Sequence, residues 1–392
     1  MHIGVYVNTL PTTVFINRLI GGLVSRNHEV TVFGTGLEPY EKVRGARYAA
    51  FKLYSFANYS KLLLFLRYTI LLTLFKNREK KRLDARLRSK QEFSRHNQTR
   101  FYPILWHQPD VLHVQWVKGI EQFLWVQDFG IKLMTSLRGT HIYLNPVLEP
   151  DVALGYKRAF PQLHGVHAVC ADLIEEATQY GLDKKLSKVI YSGLKMDDFE
   201  FTLPSLKPKS EHLRLISVGR QSWMKGYAYG VDAVALLKNR GLSVQYTVIG
   251  GANSEDLLFQ INDLGIQNEV KLHGEMPFSE VKKHIKEANV LLLPSVSEGI
   301  ANTAIEALAL GTAVIASHCG GMAELISDGE NGFLVPVRNP LAIAEAVVAW
   351  HLLALHQKDE MAKKGRSKVE GSFNEELMLA HFESFYTMNQ SV

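Results

Sequence analysis

The chain has 392 residues, enough for two domains of ordinary size, and 46% of them are hydrophobic against 21% charged. That balance excludes a disordered chain and promises a core that needs no covalent staples. The formal charge of +5 is local: Lys76–Lys90 holds eight basic and two acidic residues, a net of +6, which leaves the remainder slightly acidic. A nucleic-acid binder spreads its basic residues over a face with aromatic residues between them, so no nucleic-acid partner is expected. Cys170 and Cys319 are the only cysteines and form no C-x-x-C pair. Zinc and dithiol chemistry are therefore not expected, and a reducing compartment is.

The opening MHIGVYVNTL lacks a basic n-region, and its apolar run is too short for a signal peptide. It reads as a first buried strand, His2–Val7, of a cytoplasmic protein. A helix from about Phe15 to Arg26 and a strand at Glu29–Phe33 follow. The block Tyr59–Arg100 has few breakers and reads as helical. Within it, Leu62–Phe75 is apolar and runs into the basic stretch. Two readings fit: residues 62–90 dock on an anionic membrane face, or a buried helix precedes a solvated one. No uninterrupted apolar run reaches the length of a spanning helix. Strands are expected at Val111–Gln115, Lys132–Ser136 and Gly165–Val169.

The segment Phe201–His212 carries two prolines, serines and charges and reads as a linker. It divides the chain into domains at 1–200 and 201–374. In the second half, strands are expected at Arg214–Val218, Val244–Ile249, Glu269–Leu272, Val290–Leu293 and Ala313–Ala316. Helices fill the gaps at Lys225–Asn239, Ser254–Leu264, Pro277–Glu287 and Asn302–Leu310, and a last helix covers Glu375–Met388. Strands that alternate with helices predict parallel sheets with helices on both faces. The expected architecture is α/β, two doubly wound Rossmann-like domains facing a central cleft.

The stretch SEGIANTAIEALALGTAVIASHCGGMAEL, Ser297–Leu325, follows a predicted strand end and opens a helix near Asn302. Ligands of doubly wound sheets bind at such strand ends. The amides of Ile300, Ala301, Asn302 and Thr303 would offer unpaired N–H groups to an anion, and Gly299 lets the backbone come close. Glu298 and Glu306 suit hydroxyl groups rather than phosphates, because a carboxylate only accepts hydrogen bonds. One could hold a sugar and the other a ribose. A second cluster, SVGRQSWMKG, places Arg220 and Lys225 between a strand end and a helix, with no carboxylate partner near in sequence. Two cations there can neutralise a diphosphate. Neither a Walker A loop nor G-x-G-x-x-G occurs, so a dinucleotide cofactor is not expected.

In this order and spacing, ArgGlnSerTrpMetLysGly, ValIleGlyGly, LeuHisGly, SerGluGlyIleAlaAsnThrAlaIleGlu and CysGlyGlyMetAlaGlu resemble the successive motifs of retaining glycosyltransferases of family 4. The likeness is close over residues 200–370 and looser before. ProThrThrValPheIle with AsnHisGluVal is similar to the opening loop and second strand of exopolysaccharide-type members, and TyrSerGlyLeuLysMetAspAspPhe to the end of their first domain. The resemblance implies the two-domain GT-B fold, with residues 375–392 crossing back to the first domain. It implies Arg220 and Lys225 on the donor diphosphate, Glu298 on hydroxyls of the transferred sugar beside the amides that follow it, and Glu306 on the ribose. Gly250, Gly251 and the turn from His273 to Met276 would frame the base.

The first half departs from the pattern. Arg138-Gly139-Thr140-His141 stands where many members carry His-Gly-x-Asp, and His113-Val114-Gln115 replaces His-x-His. Arg138 or His141 is then the candidate for the usual catalytic histidine. The implied reaction moves a hexose or N-acetylhexosamine from a UDP- or GDP-sugar donor to a glycan or lipid-linked acceptor, with retention. No D-x-D occurs, consistent with a metal-free mechanism without cofactors. A nucleotide-sugar epimerase and a non-catalytic sugar-nucleotide-binding subunit are the alternatives.

Overall fold

Short strands without polar alternation need cover on both faces, and the chain supplies it with helices. VLHV at Val111–Val114 and VLLL at Val290–Leu293 are buried at every position. The computed structural model describes residues 1–10, 13–36, 42–52, 57–208 and 210–388. Pro11 and Thr12 of the opening loop, Lys209 of the expected linker and residues 389–392 of the final segment lie outside the described residues.

The chain divides into two units, Met1–Ile190 with Met378–Val392, and Tyr191–Leu377. The first holds β1 (His2–Leu10), α1 (Val14–Ser25), β2 (Glu29–Gly36), β3 (Arg47–Lys52), α2 (Ala57–Phe75), α3 (Asn77–Ser89), α4 (Arg95–His107), β4 (Val111–Val114), β5 (Lys132–Leu137), α5 (Gly139–Tyr143), α6 (Asn145–Leu148), α7 (Pro150–Ala159), β6 (Gly165–Ala168), α8 (Ala171–Thr178) and β7 (Ser187–Val189). The second holds β8 (Leu213–Val218), α9 (Tyr227–Asn239), β9 (Val244–Ile249), α10 (Glu255–Asp263), β10 (Val270–His273), α11 (Phe278–Glu287), β11 (Val290–Leu293), α12 (Asn302–Leu310), β12 (Ala313–Ser317), α13 (Met322–Leu325), β13 (Phe333–Val335), α14 (Pro340–Leu352) and α15 (Leu355–Ser372). Helix α16 (Glu375–Tyr386) starts in the second unit and ends in the first.

The sheets run β3-β2-β1-β4-β5-β6-β7 and β10-β9-β8-β11-β12-β13, all neighbours parallel. Both are doubly wound, as expected. The order reverses between β1 and β4 in one and between β8 and β11 in the other. Those switch points are where crevices open at the carboxyl ends of strands.

The units part at 190/191 rather than at the expected 200/201. Residues after Tyr191 belong to the second unit for a physical reason: the Tyr191 ring stacks on Phe373 at 4.5 Å, and Leu194 N–H bonds Phe373 O at 2.8 Å. Phe201–His212 is likewise not a loose linker. Thr202 N–H reaches Leu310 O at 3.1 Å, and Lys207 Nζ donates to Ala288 O at 2.7 Å and Thr312 Oγ1 at 2.9 Å. Burial lowers the Lys207 pKa to about 7. The return of residues 378–388 to the first unit is a packing event, with Phe382, Phe385 and Tyr386 entering the core that Ile3, Val5 and Val32 build.

The helical block after Tyr59 is three helices. Ser94 caps the third, its Oγ accepting Asn97 N–H at 3.2 Å. Strands β3, β7 and β13 are additions to the expected set, all at sheet edges: β3 and β7 mix charged residues into a short run, and β13, apolar as FLV, is only three residues long.

Candidate functional site

In the second unit, the carboxyl ends of β8, β9, β10 and β11 carry the predicted donor residues. Gly250 follows β9 at φ +95°, and a Cβ there would lie 2.1 Å from Gly219 O, so only glycine lets the two strand ends meet. One acceptor, His273 O, takes the amides of Gly250, Gly251 and Ala252 at 2.9, 3.0 and 3.1 Å. The sequence-predicted glycines and His273 are thereby brought together, His273 through its carbonyl. Arg220, Gln221, Gly250, Asn253 and Glu275 line a pocket of about 340 Å³ beside them. Met276 is half-buried against the apolar core and does not line it. Arg220 is exposed and makes no ion pair among the described residues.

A tight turn, Trp223–Lys225, seats Lys225. Gly226 ends it at φ +62°, where a Cβ would strike Pro294 O at 2.0 Å, and Val296 N–H bonds Met224 O at 2.7 Å. This seam aligns the loop after β8 with the loop after β11. Lys225 has no carboxylate near in sequence, and the fold supplies a distant one: its ammonium is paired with Glu298, 73 residues away. Ser295 Oγ adds a hydrogen bond to Glu298 Oε1 at 3.3 Å. The pair is part-exposed, 26% for the lysine side chain and 15% for the glutamate.

The loop behind is buttressed. Gly299 O accepts Gly321 N–H at 2.8 Å, and Cys319 Sγ reaches Ser295 O at 3.5 Å, so the CysGlyGly segment holds the Glu298 loop in place. Helix α12 then opens with Ala301 at its N-cap and no side-chain cap. The amides of Ile300, Ala301, Asn302 and Thr303 have no acceptor among the described residues. Uncapped amides at a helix start are an anion site in waiting. Glu306 sits one turn in, 7% exposed. Tyr227, a residue the sequence reading passed over, donates to Gly219 O at 2.9 Å and fixes the end of β8. Burial raises its pKa, so it remains a neutral donor.

The first unit places Arg138 just after β5. Its guanidinium donates to Gln115 O at 3.3 Å and Gln115 Oε1 at 3.1 Å, and lies 4.0 Å from the Phe15 ring centre and 5.3 Å from that of Trp116. Packing of the charged group lowers its pKa to about 9, which leaves it protonated at neutral pH. His141 lies beside Trp116 at 5.4 Å, and its buried Nδ1 has no hydrogen-bond partner among the described residues. Burial, then the charges of Lys118 and Arg138, hold its pKa below the ordinary value. Phe15 and Trp116 were missed; an aromatic just past a strand end, as Trp116 is, was the available signal.

Gln115 also starts a buried chain of polar groups. Its Nε2 donates to His113 Nδ1 at 3.1 Å, which also lies 2.8 Å from Tyr386 OH. His113 Nε2, Ser136 Oγ and His167 Nδ1 follow at 2.8 Å steps, and His167 Nε2 ends the chain on Ile190 O at 2.9 Å. The carbonyl can only accept, so His167 Nε2 carries a proton; with both rings neutral, His167 Nδ1 accepts from Ser136 and His113 Nε2–H donates to it. Burial depresses both pKa values, that of His167 to about 3.

Among the described residues, no group of three or more His, Cys, Asp or Glu is arranged to hold a metal ion.

Residues 198–368 match the family model of Glycosyl transferases group 1. The chain is 28% identical over 259 residues to the amylovoran biosynthesis glycosyltransferase AmsK of Erwinia amylovora, covering 63% of this chain and 61% of that one. It is 28% identical over 260 residues to the D-inositol 3-phosphate glycosyltransferase of Paenarthrobacter aurescens, 61% of this chain and 63% of that one. The chain thus spans less than two thirds of these curated relatives. Among solved structures, Anabaena HepE in complex with UDP superposes with a TM-score of 0.72 over 98% of both chains at 17% identity. The fold is GT-B, two Rossmann-like α/β domains.

Proposed function

We propose that the protein is a retaining glycosyltransferase of exopolysaccharide or cell-surface glycan assembly, moving a hexose or N-acetylhexosamine from a UDP- or GDP-sugar to a glycan or lipid-linked acceptor. The observation that carries this reading is the conjunction of Lys225, Glu298 and the uncapped start of α12 at the switch point of the second sheet. A cation, a set of unpaired amides and a sugar-competent carboxylate in one loop system match the parts of a nucleotide-diphosphate sugar. The family match over this unit, AmsK by its name and HepE by its bound UDP support it.

In this reading Arg220, Lys225 and the amides of Gly299–Thr303 neutralise the donor diphosphate and stabilise it as it leaves. Glu298 accepts from hydroxyls of the transferred sugar, and Glu306 from the ribose. The base lies at the Gly250–Gly251 and His273–Met276 turns. Arg138 or His141 serves the reaction from the first unit, Arg138 by charge and position only, since it stays protonated. Protein cations take the part of a metal ion, so activity persists in EDTA.

A thermal-shift screen of UDP, GDP, their sugars and the monophosphates tests the donor site, because a ligand of the folded state raises the melting temperature by mass action. One diphosphate should stabilise clearly and its monophosphate much less. Nucleotide release that requires a glycan or lipid-linked acceptor then identifies transfer. Equal response to mono- and diphosphates, or donor consumption without acceptor, overturns the assignment.

A further inference from the structure

We propose that the outer face of α2, together with α3, is a docking surface for an anionic lipid bilayer. Helix α2 is apolar on two opposite sides. Its inner side packs on α4: Phe65 stacks on Tyr102 at 6.2 Å, Tyr68 OH meets His107 Nε2 at 2.9 Å, and Leu72 is fully buried. The outer side repeats Leu63, Leu66, Ile70 and Leu74 at helical spacing, about half a turn around the axis from Phe65, Tyr68 and Leu72. These four are 66%, 43%, 55% and 70% exposed, and Phe75 beyond them is 71% exposed. A helix that is apolar all round is ordinarily covered on every side, and scattered single exposures do not form such a row. The buried-helix reading of Leu62–Phe75 therefore holds for one face only.

The charge around this row says what covers the other face. Arg67 stands exposed within it, and Arg78, Lys81, Arg82, Arg88 and Lys90 of the following stretch are exposed with no carboxylate partner among the described residues. Of these, Arg82 lies over the Phe129 ring at 5.2 Å and Arg88 over that of Phe93 at 3.8 Å, contacts that leave their charge unneutralised, whereas the remaining cations have polar partners: Lys76 on Trp106 O and Gln108, Lys80 on Asp84, Arg86 on Asp128. Aliphatic side chains flanked by cations fit the acyl boundary and headgroups of an anionic membrane. A second copy of the chain would set one basic block against another, and a nucleic acid would leave the leucines without a partner. No helix among the described residues is long and apolar enough to cross a membrane, so α2 lies on the surface and does not span it.

The test uses the full-length chain in vesicle flotation and needs no donor or acceptor. Phosphatidylcholine vesicles alone are compared with vesicles containing phosphatidylglycerol, at low and high salt. Wild type should float with the anionic vesicles only and be released by salt. The double variant Ile70→Glu/Leu74→Glu should lower bound protein at least tenfold. Arg78→Glu/Lys81→Glu should do the same and flatten the salt dependence, since each cation near such a surface is worth about fivefold in partition. Unchanged circular dichroism shows that the variants are folded; if one is not, Ile70→Ser and Arg78→Gln carry the same comparison. Wild type that ignores vesicles, that floats equally with neutral lipid, or that floats undiminished in both variants overturns the proposal. So does a wild-type dimer that the Ile70→Glu/Leu74→Glu variant dissociates without any vesicle binding.

Discussion

Replacing Glu298 with Gln should tighten the binding of a free nucleoside diphosphate while it lowers turnover at least tenfold. The Lys225 ammonium is engaged by the Glu298 carboxylate. A diphosphate that uses Lys225 must displace that carboxylate, and the glutamine variant removes the competition. With side chains 26% and 15% exposed, the pair belongs near the surface class worth roughly 0.2–1 kcal/mol. At about 1.4 kcal/mol per tenfold, the gain in diphosphate affinity is about 1.5- to 5-fold. Once released, Glu298 would bind hydroxyls of the transferred sugar through charged hydrogen bonds, worth about 1.5–3 kcal/mol. Their loss should lower turnover by one to two orders of magnitude. Calorimetric titration of wild type and Glu298→Gln with UDP or GDP, and with the monophosphate, reads the first effect; initial rates with donor sugar read the second. A variant that binds the diphosphate more weakly than wild type, or gains equally for the monophosphate, refutes the exchange of partners.

Arg220 makes no ion pair among the described residues and lines the pocket at Gly250, so Arg220→Ala should cost roughly 1.5–3 kcal/mol of diphosphate affinity and little for the nucleoside, by the same titration. Glu306→Ala should weaken free nucleotide and nucleotide sugar alike; an effect on the sugar form only would contradict a ribose role. Arg138→Lys keeps the charge but loses the planar group held by Gln115 and Phe15, and should recover part of the activity that Arg138→Ala loses. Wild-type turnover in both Arg138→Ala and His141→Ala would remove this loop from the chemistry.

The parallel sheets were legible because buried strands such as VLLL and VLHV have no polar alternation, and because Gly and Pro mark their ends. Helix α12 falls at Asn302–Leu310 as read, since Pro294 and Gly311 punctuate its surroundings. Strands β3 and β7 were not legible, because charged residues interrupt these short edge strands, and β13 was not because three apolar residues are too few to mark a strand. The unit boundary was misplaced for a related reason: Pro204 and Ser205 look like a linker, but Lys207 anchors the segment through contacts with residues more than eighty positions away. At the site, each partner of the Lys225–Glu298 pair was found by its motif. Their pairing was not, because it depends on the seam from Val296 to Met224 that only the fold creates. Arg138 was placed correctly at a strand end, yet its stacking on Phe15 and Trp116 joins three segments that no local pattern links.

The buried chain from Gln115 to Ile190 makes the first unit acid-sensitive, in a direction the proton assignment dictates. His167 Nε2–H is committed to Ile190 O and its Nδ1 accepts from the Ser136 hydroxyl, so a second ring proton would force that hydroxyl to turn and would place an unpaired charge in the core. His113 is in the same position between Ser136 and Tyr386. Both rings lose their ordinary basicity on burial, His167 down to about 3 from 6.5. Above about pH 6.5 the rings are neutral in the folded and unfolded chain alike and do not affect stability. Below it the unfolded chain takes up protons that the folded chain refuses, so stability falls as pH falls, until the folded rings titrate, His167 near pH 3. Each histidine costs about 1.4 kcal/mol per pH unit in that window, so the two together cost about 4 kcal/mol at pH 5, a large share of the roughly 5–15 kcal/mol typical of a folded domain. Because Tyr386 closes the chain from α16, the returning end of that helix should loosen with it. Denaturant unfolding at pH 7.5, 6 and 5, with hydrogen exchange over residues 378–386, measures both effects. His167→Gln, which cannot take the proton, should flatten the pH slope by about one proton. A wild-type chain equally stable at pH 7.5 and 5, or a His167→Gln chain with an unchanged slope, would show that these imidazoles do not govern the acid response.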